Sequence, residues 1–347
     1  MNIVNSNIFE DCMVKTYENI FNTNNSGQLI TVKENIGLGF NYPYILFIPT
    51  NINHNSTIIV EGSNSRESKK INSSDNINDI IQESIDDVRK SFIGSNNPIY
   101  KINEEILNYP VLYPLFPRLV YKGIPYYNHM LSSNSMFSSK DEENLKKLGL
   151  YRTDLQLIKM IEDSKRRLLE YGLNIDEKII INGFSSSAKF ANRFTLLHPE
   201  IVKYTIAGGI GGTITLPIRE INGEKLLWPV GIGNVEEITN EKLEIYKSVP
   251  QYYYQGMQDD KDPYESNENG TCKYPQILQD EEAKQLYKFL GKFMNEARWD
   301  KTKQIISSLG YNIKLESLEG GHNPNIARDA ISKIITDMYN EKKSNYK

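Results

Sequence analysis

The chain has 347 residues, of which 24% are charged and 39% hydrophobic, and its formal net charge is −4 at pH 7. These values are typical of a globular protein, large enough for one domain with insertions or for two. A slightly acidic balance without a dense basic run gives no reason to expect a nucleic-acid partner, and no stretch approaches the roughly 18 apolar residues of a membrane span.

The N-terminal part of the chain gives few signals. Residues 1–43 are predicted to be a lead-in or an edge strand, and residues 44–347 the main domain. No basic head precedes an apolar run, so no secretory signal is predicted and a cytoplasmic protein is expected. Cys12 and Cys272 are predicted to be two free thiols, with a long-range disulfide as the alternative.

The first half of the main domain is predicted to contain three strands and two helices. Strands at residues 44–48 and 57–60 precede a helix over 77–92, whose N-cap is Ser74 or Asp75. A strand follows at 110–116, and then a long loop over 123–140 that is rich in Tyr and Ser. An amphipathic helix over 155–169 ends at Gly172.

The second half continues this alternation. Strands are predicted at residues 179–181, 204–207, 249–255 and 311–318, and helices at 188–198, 280–308 and 326–339, the second divided at Gly291. Insertions are predicted around residues 121–150, 213–248 and 264–308. Alternating strands and helices favour an α/β fold with a mostly parallel central sheet and helices on both faces.

The turn Gly183-Phe184-Ser185-Ser186-Ser187 joins a predicted strand to a predicted helix. A serine at the centre of such a turn is typical of a nucleophile elbow, in which small flanking residues let strand and helix backbones approach closely. Ser187 stands where the pattern usually has glycine, a change that a small side chain tolerates. An ordinary turn with a serine-rich helix N-cap is the alternative interpretation.

Two glycine-containing strand ends could support this serine. Backbone N–H groups of Ser186 and of Gly62 or Ser63 are candidates for an oxyanion hole, because Gly62 ends an early strand. The glycines within residues 208–212 lack the spacing of a phosphate-binding loop, so close packing against the elbow is predicted.

A serine nucleophile needs a base, and the base needs an orienting group. Of the four histidines (His54, His129, His198 and His322), His322 alone directly follows a predicted strand; His198 is predicted to be a capping or surface residue. For the acid, the spacing after Gly256 favours Asp259, with Asp260 and Asp262 as rivals. Each candidate follows a strand, and the chain order Ser185, Asp259, His322 is that of α/β-hydrolases.

The chain resembles the α/β-hydrolase superfamily, within the esterase branch related to polyhydroxyalkanoate depolymerases and feruloyl esterases. The resemblance covers residues 44–339 and is carried by short segments at residues 61–64, 113–118, 154–157, 183–188, 198–200, 256–259 and 321–322. It implies an α/β-hydrolase fold with Ser185 as nucleophile, Asp259 as orienting acid and His322 as general base. Glu61 departs from the pattern, since many relatives have histidine there.

The sequence thus predicts a serine hydrolase that cleaves a small-molecule carboxylic ester through an acyl-enzyme, without a metal or cofactor. The alternatives are a serine peptidase or amidase, and an inactive binding protein of the same fold. Tyr121, Tyr126 and Tyr127, together with the insertion after Gly212, are expected to form walls of the site. The sequence does not fix the oligomeric state.

Overall fold

The computed structural model describes residues 9–20, 25–64, 68–72, 74–126, 130–136, 142–274 and 277–344. In chain order, its strands are β1 (Met13–Ile20), β2 (Asn25–Val32), β3 (Tyr44–Pro49), β4 (Asn55–Ser56), β5 (Ile59–Glu61), β6 (Lys69–Ile71), β7 (Val111–Pro114), β8 (Leu119–Tyr121), β9 (Ile124–Tyr126), β10 (Asn174–Ile175), β11 (Ile179–Phe184), β12 (Val202–Gly208), β13 (Glu220–Ile221), β14 (Glu224–Lys225), β15 (Gln251–Gly256) and β16 (Ile313–Leu318).

Nine of these strands form the central sheet, in the order β1-β2-β3-β7-β5-β11-β12-β15-β16. The pairs from β1 to β7 are antiparallel, and every pair from β7 to β16 is parallel. The sheet is therefore mostly parallel, as predicted. Residues 179–183 of β11 are all buried, because parallel neighbours flank this strand and helices cover it.

The helices occupy the crossover connections and the insertions. They are α1 (Ile77–Ile93), α2 (Pro98–Ile102), α3 (Ser133–Met136), α4 (Glu142–Lys147), α5 (Thr153–Glu170), α6 (Ser186–Leu197), α7 (Asn240–Ser248), α8 (Asp280–Phe289), α9 (Trp299–Leu309) and α10 (Arg328–Ser344). The connection through α1 runs along the sheet in the opposite direction to the one through α6. Because parallel crossovers are right-handed, these two helices cover opposite faces.

Several elements differ from the sequence prediction. The first 43 residues contain two strands of the main sheet, β1 and β2, and not merely a lead-in or one edge strand. The N-cap of α1 is Asn76, whose side chain accepts from the Asn78 N–H, and not Ser74 or Asp75. Within 123–140, expected to be a loop, lie β9 and α3. The helix α2 was not predicted.

The two cysteines are free thiols, Cys12 half-buried and Cys272 buried, so the disulfide alternative is wrong. The predicted division of the helix near Gly291 is confirmed, since α8 and α9 are separate and a π-helical turn, Met294–Arg298, precedes α9. No helix in the described part of the chain is long and apolar enough to cross a membrane.

Candidate active site

Ser185 lies at a sharp turn between the end of β11 and the start of α6. Its backbone has φ 61° and ψ −120°, a strained conformation that non-glycine residues adopt rarely and mainly at functional sites. The Ser185 N–H donates to the Gly208 carbonyl oxygen over 2.9 Å, so the turn is held against the neighbouring strand β12. Strand, strained serine and helix thus form the predicted sharp turn.

The turn is packed too closely for larger residues. A Cβ atom on Gly183 would lie 2.3 Å from the carbonyl oxygen of Ser187, and one on Gly62 would lie 3.2 Å from the Ser187 Cβ. Ser187 fits because its hydroxyl accepts from the Phe184 N–H over 2.8 Å and lies 2.9 Å from the Phe184 carbonyl oxygen, to which it can donate. The serine in place of glycine therefore closes the turn with side-chain hydrogen bonds.

The three candidate oxyanion donors lie around this turn. Ser186 is the first residue of α6, where helix N–H groups lack partners within the helix. The Gly62 N–H donates to the Asn182 carbonyl oxygen over 3.4 Å, which continues the pairing of β5 with β11. Gly62 and Ser63 both stay candidates for the second donor. Ser63 is buried beside the turn.

Asn64 joins this donor segment to the serine turn. Its Nδ2 donates to the Phe184 carbonyl oxygen over 3.0 Å, and its N–H donates to the Tyr113 hydroxyl over 3.0 Å. The segment after β5 is thereby tied both to the residue before Ser185 and to the strand β7. Sequence reasoning included Asn64 in the resemblance but gave it no role.

His322 and Asp259 form a hydrogen-bonded pair at the edge of the sheet. The Nδ1 of His322 lies 2.8 Å from the Asp259 Oδ2. Asp259 follows β15, and His322 follows β16, which pairs with β15 in parallel. Burial by itself would raise the pKa of Asp259, but hydrogen bonds from His322, the Lys261 N–H and Gln255 outweigh burial and lower it. Asp259 is therefore ionised at neutral pH.

The other two aspartates of this loop have different partners. Asp260 is exposed and pairs with Lys261, whose Nζ lies 3.4 Å from the carboxylate. Asp262 accepts two hydrogen bonds from the buried guanidinium of Arg298, at 2.8 and 3.2 Å. Of the three candidates, Asp259 is the one that the structure brings to His322.

Gln255 orients Asp259 and was not singled out from the sequence. Its Nε2 donates to the Asp259 Oδ2 over 2.8 Å, and its Oε1 accepts from the N–H groups of Gly211 and Gly212 at 3.2 and 3.3 Å.

The glycines that follow β12 lie close to the elbow and to His322. A Cβ on Gly209 would lie 2.9 Å from the Phe184 ring and 3.0 Å from the His322 Cε1. The predicted close packing against the elbow is confirmed for Gly208 and Gly209, whereas Gly211 and Gly212 pack against Pro263 and Met294.

A buried lysine lies behind the acidic loop. Lys189 is on α6, and its side chain lies 5.4 Å from the centre of the Tyr264 ring. Burial, together with the nearby positive charge of Arg193, lowers the pKa of Lys189 to about 7, although the carboxylates of Asp262 and Asp259 act in the opposite direction. This lysine therefore carries only a partial positive charge near neutral pH.

Ser185 and His322 line the same pocket, which has a volume of about 780 Å³. Its walls are rich in amide and hydroxyl side chains, and Phe92, Phe184 and Pro324 add apolar surface. The other lining residues are Glu61, Asn64, Lys90, Ser91, Gly94, Ser95, Asn96, Asn97, Tyr113 and Asn323. Residues from the last turn of α1 and the segment after it, within 90–97, form a wall of the pocket that was not predicted from the sequence.

The expected tyrosine wall is wrong for the two tyrosines that can be placed. Tyr121 and Tyr126 are buried in the small sheet of β6, β8 and β9, and the pocket is lined by other residues. Tyr127 and His129 lie outside the described residues. His198 is the C-cap of α6, which confirms the capping alternative. It is buried and not a surface residue, and its Nε2 lies 2.8 Å from the Asp154 carboxylate.

Known proteins give a likeness in fold without a likeness in sequence. No protein-family profile and no curated protein matches the chain. A poly(3-hydroxybutyrate) depolymerase structure from Bordetella parapertussis aligns over 97% of this chain and 96% of its own, with 13% identity and a TM-score of 0.50. A poly(aspartic acid) hydrolase from a Sphingomonas species aligns over 93% and 98%, with 13% identity and a TM-score of 0.47.

The alignment with the depolymerase covers nearly the whole of both chains, and the chain has the α/β-hydrolase fold that the sequence predicted. At this identity the likeness concerns the fold alone, so the chemistry depends on the pocket's own residues.

In the part of the chain that the structure describes, no three His, Cys, Asp or Glu side chains group together as metal ligands would.

Proposed function

We propose that the chain is a serine hydrolase that cleaves a carboxylic ester through an acyl-enzyme. The observation that carries this proposal is the hydrogen bond between His322 and the ionised Asp259 at the rim of the pocket that Ser185 also lines. A carboxylate on Nδ1 keeps the imidazole proton there, which leaves Nε2 free to accept the proton of a serine hydroxyl.

The reaction then proceeds by two acyl transfers. His322 takes the Ser185 proton while Oγ bonds to the ester carbonyl carbon, and the N–H groups of Ser186 and of Gly62 or Ser63 stabilise the oxyanion. Collapse of the intermediate breaks the bond to the alkoxy group, which leaves as an alcohol with the proton from His322. Water, deprotonated by His322, attacks the acyl-enzyme, and Ser185 recovers its proton as the acid leaves.

Labelling by a fluorophosphonate tests the nucleophile directly. The wild type should be labelled at Ser185, and Ser185→Ala should lose labelling and lower kcat by ~10⁴-fold or more. Ser187→Ala is the matched control, because Ser187 is buried against the turn and bonds Phe184. If labelling survives Ser185→Ala but disappears in Ser187→Ala, the assignment of Ser185 as the nucleophile is wrong. If the wild type is not labelled at all, an inactive binding protein is favoured.

The bond that is cleaved needs a separate measurement. Hydrolysis rates across p-nitrophenyl esters of increasing chain length, with aryl esters and aminoacyl amides beside them, separate an esterase from an amidase. We expect ester hydrolysis to dominate. A kcat/KM that is higher for the amides would replace the esterase proposal by the amidase one.

A further inference from the structure

Glu61 is a buried acid that lines the pocket but has no role in the proposed reaction. It is the last residue of β5, directly before Gly62 and Ser63, and 6% of it is exposed. Its Oε2 accepts a hydrogen bond from the Nδ2 of Asn182 on β11 over 3.1 Å. Tyr100 of α2 and Asn97 are further hydrogen-bonding neighbours of its carboxyl group. These contacts join the oxyanion segment to the elbow strand and to the pocket wall.

The groups around Glu61 give its charge little support. The titratable groups that interact with it are the phenols of Tyr100, Tyr113 and Tyr254, which lie on α2, β7 and β15. Two further titratable side chains, His322 and Lys90, line the pocket, and Lys90 is 77% exposed and pairs with Asp87. Burial raises the pKa of Glu61 to about 7, although hydrogen bonds from Tyr100, Asn182 and Asn97 lower it.

We propose that Glu61 is a positioning residue of the proposed hydrolase, whose side chain holds residues 61–63 against β11 and so directs the backbone N–H of Gly62 or Ser63 at the oxyanion. This inference rests on the proposed function. A carboxylate directly before the candidate donors Gly62 and Ser63 would repel the negative charge that develops on the oxyanion, whereas a neutral carboxyl exerts no such repulsion. Above neutral pH, ionisation of Glu61 therefore impairs the oxyanion hole.

The pH dependence of kcat tests this role with an ester substrate, after subtraction of spontaneous hydrolysis. In the wild type, kcat should fall at least ~10-fold between pH 7 and 9, because a carboxyl that titrates near 7 is almost fully ionised at pH 9. In Glu61→Gln, an uncharged isostere, the ratio of kcat at pH 9 to kcat at pH 7 should rise at least ~5-fold above the wild-type ratio. Glu83→Gln, at a 61% exposed side chain, is the matched control and should keep the wild-type ratio.

Thermal melting tests the neutral carboxyl without any substrate. An acid whose pKa is raised in the folded state loses stability as pH rises from the unfolded value towards the folded one. The Tm of the wild type should therefore fall by several degrees more than that of Glu61→Gln between about pH 5 and pH 8. If the glutamine variant does not fold, Glu61→Met supplies the same comparison.

The outcomes separate this inference from the proposed function. If the wild type is labelled and hydrolyses esters but its pH profile coincides with that of Glu61→Gln, the positioning role is wrong and the hydrolase proposal stands. If the Tm of the wild type and that of Glu61→Gln depend on pH equally, the inference that the Glu61 carboxyl is neutral is wrong. If the wild type takes no fluorophosphonate label, the hydrolase proposal fails and the positioning role fails with it, whatever the melting curves show.

Discussion

Replacing Asp259 by asparagine changes the proposed orienting acid by a single atom. The carboxylate accepts three hydrogen bonds: Oδ2 from the His322 Nδ1 and from the Gln255 Nε2, both at 2.8 Å, and Oδ1 from the Lys261 N–H at 2.9 Å. An amide offers one acceptor oxygen and one NH₂ group, so it cannot satisfy three donors on two atoms.

Both orientations of the new amide are impaired. With its oxygen towards His322, its NH₂ group opposes the Lys261 N–H. In the flipped orientation the NH₂ group opposes Gln255 and forces the His322 proton onto Nε2, where the ring cannot accept the serine proton. Gln255 cannot turn to relieve this conflict, because its Oε1 is held by Gly211 and Gly212. In each orientation the new NH₂ group therefore faces another N–H donor, at a cost of ~1–3 kcal/mol.

In both orientations the imidazolium formed in the transition state loses its carboxylate partner. We therefore expect Asp259→Asn to lower kcat at least ~10²-fold, which corresponds to about 2.7 kcal/mol in the activation free energy. Steady-state hydrolysis of a p-nitrophenyl ester measures this loss, and circular dichroism checks that the variant is folded.

The neighbouring aspartates supply the controls. Asp260→Asn removes an exposed ion pair and should leave kcat within ~2-fold of the wild type. Asp262→Asn should lower the free energy of unfolding, because it weakens the bond to Arg298. Near-wild-type kcat in Asp259→Asn, together with a large loss in either of the other variants, would refute the assignment of the acid.

Three further predictions concern stability and specificity. Arg298→Met should lower the free energy of unfolding by ~3–5 kcal/mol in urea titrations, because it leaves the Asp262 carboxylate without its buried partner. His198→Gln should destabilise the fold more at about pH 5.5 than at about pH 9: burial lowers the pKa of His198, but bonds to Asp154 and Glu200 raise it overall, so the stabilisation is lost as pH rises. Equal losses would contradict this. Among p-nitrophenyl esters, acetate should exceed laurate in kcat/KM because amides line the pocket.

Much of the fold could be predicted because parallel strands and their crossover helices leave plain signals in sequence. Uninterrupted runs of β-branched residues predicted strands such as β11. Because the carboxyl ends of parallel strands meet at one edge of the sheet, residues that come just after these strands lie at that same edge. Ser185, Asp259 and His322 each have this placement, so their proximity could be expected. Their catalytic roles remain proposals until the variants are measured.

The rest of the site depends on contacts between segments distant in sequence. In the sequence, Gln255 looks like an ordinary polar residue of a strand. Its role in orienting Asp259 depends on the N–H groups of residues 211–212, which fix its amide. The wall at 90–97 consists of the last turn of α1 and the segment after it. This segment leads into the five-residue helix α2, which is too short for a periodic signal. Asn97-Pro98, an N-cap followed by proline at the first helical position, is the signal that could have revealed α2.

The strand β16 lies at one end of the sheet and pairs with β15. Its residues are half-buried or exposed, and such edge elements open locally at a lower free energy than the whole protein. His322 follows β16, while Ser185 follows the interior strand β11, so local opening of β16 would separate the proposed base from the proposed nucleophile before the whole protein unfolds. The Trp299 Nε1 donates to Ser317 of β16 over 3.1 Å. In a Trp228→Phe protein, which keeps one of the two tryptophans, fluorescence would report this fraying in mild denaturant, before the backbone circular dichroism changes.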